Sequence, residues 1–221
     1  MTGAGQTTAA GGRGGRRGLF VVIEGIDQSG KQTQVERLQA WLRSAGYPAC
    51  IFAFPAYDTP VGRLLGDFLA GRVELGLEAR HLLYAANRWE VQPQIEATLT
   101  AGAVVVVDRF SGSGLAYGRA QGLDPDWLAG LERGLPVPDL VALLDLPPEV
   151  AFARKRRARD RYESRLELLS QARAAYRWLA ERDGWLVLDA TQPADTIAAA
   201  LRSAVTARLA AEGGPAARVE P

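Results

Sequence analysis

Near the start of this chain a glycine loop joins an apolar run to an amphipathic one, and that junction restricts the folds open to it. "LFVVIEG" (19–25) is short and continuously apolar, as expected of a strand buried on both faces. "KQTQVERLQAWLRSAG" (31–46) shows helical spacing, with Val35, Leu38 and Leu42 inward and Gly46 as the stop. The loop itself runs Gly25, Ile26, Asp27, Gln28, Ser29, Gly30 and Lys31. Its glycines let the backbone curl so that N–H groups point inward, and such a nest at a helix N-terminus favours a polyphosphate. Lys31 supplies a cation for the β- and γ-phosphates. The pattern is G-x-x-x-x-G-K-[ST] except at its last position, where Gln32 replaces the hydroxyl residue. Thr33 comes one residue later, turned about 100° away on the helix. A Gln amide reaches a metal-bound water at best, so Mg²⁺ is expected to lean on Asp27, Asp108 and nucleotide oxygens.

Strand and helix signals continue to alternate. "ACIFAF" (49–54), "AVVVVD" (103–108), "LVALLDL" (140–146) and "WLVLDA" (185–190) read as further buried strands. Helices are expected over "TPVGRLLGDFLAG" (59–71), with Pro60 in the first turn, over about 77–100, and over about 194–211. Five strands separated by helices imply a parallel sheet in a three-layer α/β fold. Ligands on such sheets bind beyond the carboxyl ends of the strands, so the loops after Glu24, Phe54 and Val107 belong to one cleft.

A chain of 221 residues suits one domain, and a net charge of +1 carries no overall nucleic-acid or membrane signal. The single cysteine, Cys50, excludes an intrachain disulfide and reads as a buried structural thiol. The lone His81 reads as a helix-surface or packing residue. No apolar run approaches the ~18 residues of a membrane span. The Gly- and Arg-rich residues 1–17 and the segment 213–221 read as flexible tails around a domain at 18–212.

Two pairs carry chemistry. Tyr84 and Arg88 lie four apart on a helix and share a face; an aromatic plane beside a guanidinium suits a stacked base with a carbonyl acceptor. Asp108-Arg109 ends an apolar strand, where an unpaired carboxylate is costly, so Asp108 should meet a cation, metal or water in the cleft. The "SGSG" (111–114) that follows reads as a flexible loop that permits close approach of backbone to ligand.

In order along the chain, "EGIDQSGKQTQ", "FP" at 54–55, "LLYAANRWE" (82–90), "VVVDRFSGSGLAYG" (105–118), "GLPVPDL" (134–140), "LDLPPEVA" (144–151) and "DRYE" (160–163) resemble the thymidylate kinases. The resemblance spans nearly the whole domain. It implies a P-loop kinase fold, ATP-dependent phosphorylation of dTMP to dTDP in dTTP biosynthesis, Mg²⁺ with ATP, a homodimer and a cytoplasmic location. By motif position, Tyr84 stacks on thymine and Arg88 contacts its O4; Phe54 and Leu69 form apolar walls; Gly114 and Tyr117 line the sugar. Arg109 clamps the dTMP phosphate, Asp108 helps organise metal and acceptor, and Asp27 lies near the acceptor phosphate and 3′-hydroxyl.

This chain departs from the pattern at three points. Tyr57 stands where many members carry a phosphate-gripping arginine, and Gln28 where some carry a loop arginine; Gln32 is the third. The missing charge points to the basic segment "RKRRARDR" (154–161), within a lid at about 153–163. One of Arg156, Arg157 and Arg159 then bridges the transferring phosphoryl group, while by motif position the resemblance implies that Arg154 stacks on adenine and Tyr162 closes on the deoxyribose. Two other readings are another nucleotide or nucleoside kinase on this fold and a non-catalytic nucleotide-binding module. Membrane and nucleic acid are not expected as partners.

Overall fold

The computed structural model describes residues 17–154 and 166–211. The chain runs β1 (Phe20–Glu24), α1 (Lys31–Ser44), β2 (Ala49–Ala53), α2 (Pro60–Leu69), α3 (Leu77–Thr100), β3 (Val104–Asp108), α4 (Ser111–Ala120) and α5 (Pro125–Leu131). It continues with β4 (Leu140–Asp145), α6 (Pro148–Arg154), α7 (Leu166–Asp183), β5 (Leu186–Asp189) and α8 (Ala194–Ala211). The strands form one sheet in the order β2-β3-β1-β4-β5, and every pairing is parallel.

The apolar runs of β1 and β3 follow from burial on both faces. Val21, Ile23, Val104 and Val106 pack with α1, α7 and α8 residues such as Leu38, Leu179 and Leu201. The alternate residues Phe20, Val22, Val105 and Val107 pack with Ile95 and Leu99 of α3. Pro60 sits in the first turn of α2, as expected, behind Thr59, whose hydroxyl accepts from Gly62 N at 3.0 Å.

Two expectations are corrected. The edge strands are not fully buried: in β2 only Ala49 is, and Cys50 is an exposed free thiol. An edge strand has a neighbour on one side alone, so part of its apolar sequence stays open to solvent. The "SGSG" stretch, read as a flexible loop, forms the first turn of α4. Its glycines answer to packing. A Cβ at Gly112 would lie 2.8 Å from Glu24 Oε1 and 2.7 Å from Trp185, and one at Gly118 would lie 2.6 Å from Leu128. The expected lid lies outside the described residues except for its start at 153–154, as do residues 1–16 and 212–221.

Candidate active site

The loop between β1 and α1 closes on itself. Gly25 has φ 144°, and a Cβ there would stand 2.6 Å from the Leu144 carbonyl oxygen, so the position takes glycine alone. Gly30, at φ 93°, caps α1. Gln28 adopts φ 63° without being glycine, a cost of the kind that gathers at functional sites. Lys31 is buried and its Nζ donates to the Ile26 carbonyl at 2.9 Å. Burial, helped by the charge of Arg109, lowers the Lys31 pKa to about 8, against the pull of Asp108, Asp27 and Glu24. Gln32 and Thr33 are exposed on α1, and Gln32 Nε2 donates to Glu36 at 2.9 Å rather than into the loop. Arg154 reaches across from α6, with Nη1 donating to the Gln28 carbonyl at 2.9 Å and Nη2 to that of Ala190 at 3.0 Å.

Beside the loop opens a cavity of about 320 Å³. Asp27, Phe54, Tyr57 and Leu69 line one part of it, Tyr84 and Arg88 of α3 another, and Asp108, Arg109, Ser113, Gly114 and Tyr117 a third. Every residue assigned to an acceptor site from the sequence is therefore in one wall, apart from Tyr162, which lies outside the described residues. Arg156, Arg157 and Arg159 lie outside them too.

The charges are held firmly. Arg88, 3% exposed, forms a buried two-point ion pair with Glu132, its Nε donating to Oε2 at 2.8 Å. A Cβ at Gly114 would be 2.8 Å from Arg88 Nη2 and 3.1 Å from Glu132 Oε1, so a side chain there would make this pair shift. Arg109 adopts φ 66° and pairs with Asp27, whose Oδ2 accepts from the Tyr117 hydroxyl at 3.0 Å. Burial opposes the Arg109 charge, but Asp27 and its other neighbours outweigh it and hold the guanidinium pKa well above its ordinary value. Burial likewise works to raise the Asp27 carboxyl, and Arg109 and Lys31 overcome it to hold that carboxyl below the usual range. Asp108 Oδ1 is buried and has no hydrogen-bond partner among the described residues.

Several residues were not singled out from the sequence. Glu24 is wholly buried and accepts from Phe110 N at 2.8 Å and Ser113 N at 3.0 Å. Its position at the end of an apolar run was a usable signal, since a carboxylate there needs partners as much as Asp108 does. Asn87 ties α3 to the loop after β2, accepting from Ala56 N at 2.8 Å and donating to Thr59 at 2.8 Å. His81, expected on a helix surface or in packing, is buried in the cavity wall; burial lowers its pKa to about 4, so the ring is neutral, and it meets Tyr84 edge-on. Glu132 and Tyr176 carry no local signal at all.

Comparison with known proteins gives the same picture. The family model described as thymidylate kinase matches residues 23–201. The thymidylate kinase of Dictyostelium discoideum is 37% identical over 183 residues, 82% of either chain. That of Homo sapiens is 41% identical over 152 residues, 67% of this chain and 71% of its own. A solved thymidylate kinase structure from Candida albicans superposes with a TM-score of 0.77 at 30% identity, covering 86% of this chain and 91% of that one. With its phosphate loop, its parallel sheet and a family match across most of its length, the chain belongs to the thymidylate kinase family.

Proposed function

We propose that this protein transfers the γ-phosphoryl group of ATP to dTMP, forming dTDP for dTTP synthesis. One observation carries the acceptor assignment: Tyr84 and Arg88, one turn apart on α3, share a single cavity with Arg109 and Asp27. Tyr84 stacks on thymine and Arg88 donates to its O4, between apolar walls from Phe54 and Leu69. Gly114, Tyr117 and Tyr162 line the deoxyribose, Asp27 its 3′-hydroxyl, and Arg109 holds the phosphate, with Tyr57 as a neutral contact.

On the donor side, the loop from Gly25 to Gly30 and the first-turn amides of Lys31, Gln32 and Thr33 cradle the triphosphate. Lys31 draws on its β- and γ-oxygens, Arg154 stacks on adenine, and one of Arg156, Arg157 and Arg159 bridges the transferring group. Phosphoryl transfer of this kind runs on positioning and charge stabilisation. The acceptor oxygen is already anionic, so no side chain has to remove a proton.

Mg²⁺ enters with ATP. The residues present fit it: Asp108 has a buried oxygen with no partner among the described residues, and Asp27, whose oxygens are engaged by Arg109 and Tyr117, would act through water. When bound, the ion would neutralise charge on the donor phosphates.

A homodimer follows from family resemblance, and exposed Leu82 and Trp89, seven apart on α3, offer it apolar surface. We place the protein in the cytoplasm with its nucleotide substrates. Among the described residues no helix is long and apolar enough to cross a membrane.

The test is product analysis of ATP, Mg²⁺ and dTMP by ion-exchange chromatography. ADP and dTDP should appear in equal amounts; ADP without dTDP would overturn the proposal.

A further inference from the structure

Arg109 is also held from the core side, by groups of which only Ser113 lines the acceptor cavity. Its Nη1 donates to the Gly25 carbonyl at 3.0 Å, to Ser113 Oγ at 3.3 Å and to the Tyr176 hydroxyl at 3.3 Å. Those two hydroxyls lie 2.7 Å apart, and both donate to Glu24 Oε2, at 2.7 Å from Ser113 and 3.0 Å from Tyr176. Glu24 Oε1 is fixed in turn by two backbone amides at the start of α4. The assembly joins β1, α4 and α7, and its centre is buried, since Glu24 and Tyr176 are both 0% exposed. It is also dedicated, because a side chain at Gly112 would displace the Glu24 carboxylate.

We propose that Tyr176, with Ser113 and Glu24, is a positioning residue for dTMP binding that acts through Arg109. Arg109 is in a strained left-handed conformation, and a long side chain on such a backbone needs external contacts to keep one orientation. Asp27 grips the guanidinium from the cavity side, whereas Tyr176, with Ser113 at the cavity wall beside it, grips it from the core side. The core-side grip therefore sets where the donors sit when the acceptor phosphate arrives. The Tyr176 hydroxyl comes from α7, more than sixty residues beyond Arg109, so the aim of the clamp depends on how α7 docks against α4. The proposal rests on Arg109 as the acceptor-phosphate clamp.

Steady-state kinetics of Tyr176→Phe, Arg109→Ala and the double variant test both layers, with thermal unfolding followed in parallel. Tyr176→Phe removes one hydroxyl and keeps the buried ring. It should raise the dTMP KM roughly three- to tenfold, the scale of one lost hydrogen bond. The ATP KM and kcat should stay within about twofold, since uniform loss of acceptor binding moves KM alone. In the Arg109→Ala background the same change should leave the dTMP KM unmoved. A lower Tm with an unaltered dTMP KM would overturn the positioning role. An equal rise in KM in both backgrounds would show that Tyr176 does not act through Arg109. An unchanged dTMP KM in Arg109→Ala alone would instead overturn the clamp reading beneath the proposal.

Discussion

Lys31 carries the most direct pH signature. Its pKa of about 8, set chiefly by burial, lies below the ordinary lysine value, so the free enzyme begins to lose this cation just above neutrality. Only the charged form attracts the triphosphate, and bound phosphates would then hold the proton in place. The kcat/KM for ATP should therefore fall as pH rises through about 8, while kcat stays flat. A kcat/KM for ATP that is level to pH ~9.5 would contradict this. In stability the sign is opposite: between about 8 and the unfolded value near 10.5, the unfolded chain binds the extra proton, and stability rises with pH. Tyr57 offers a second test. It lines the cavity while 52% exposed, at the position where the family resemblance implies an arginine. Tyr57→Arg should lower the dTMP KM by about three- to tenfold, the range for a charge-assisted bond moderated by solvent. A KM unchanged or raised would show that Arg109 already saturates the phosphate. At this scale, Tyr84, Arg88 and Asp108 were legible because spacing or burial cost exposes them. Gln32 was legible only as a departure; that its amide turns to Glu36 follows from side-chain freedom on an exposed helix face.

At the scale of elements, α4 shows how close packing imitates a loop. Its glycines lower helix propensity and suggest flexibility, yet each admits a neighbour: Gly112 the Glu24 carboxylate, Gly114 the Arg88–Glu132 pair, Gly118 Leu128. Gly114→Ala should push Arg88 off its aim and lower kcat/KM for dTMP by roughly ten- to hundredfold, as ångström-scale misplacement does. Gly130→Ala in α5, with open space at its Cβ, is the control and should leave kinetics unchanged. Equal effects from the two changes would contradict the packing account. The remaining elements were readable where apolar pattern and capping agree, as in α2 behind Thr59, and in β1 and β3 with both faces covered. The edge strands were over-read, because nothing local in "ACIFAF" announces which strand ends the sheet.

For the whole molecule, topology assembles the cavity. Asp27, Phe54, Tyr84 and Asp108 come from separate segments and meet because β1, β2 and β3 run parallel and end at the same side of the sheet. That much follows from alternating strands and helices alone. The support beneath Arg109 does not: Glu24 and Tyr176 meet across 152 positions, and only three-dimensional packing joins them. The central claim, that this cavity selects dTMP as phosphoryl acceptor, is tested most directly by acceptor choice. The measurement is the steady-state rate of ADP formation from ATP and Mg²⁺ with dTMP, dUMP, CMP, AMP and thymidine offered separately. The account predicts turnover with dTMP, a dUMP kcat/KM about 10- to 200-fold lower for the missing methyl group, and background rates with the others. Faster turnover of thymidine than of dTMP, or dTMP binding without turnover, would contradict it.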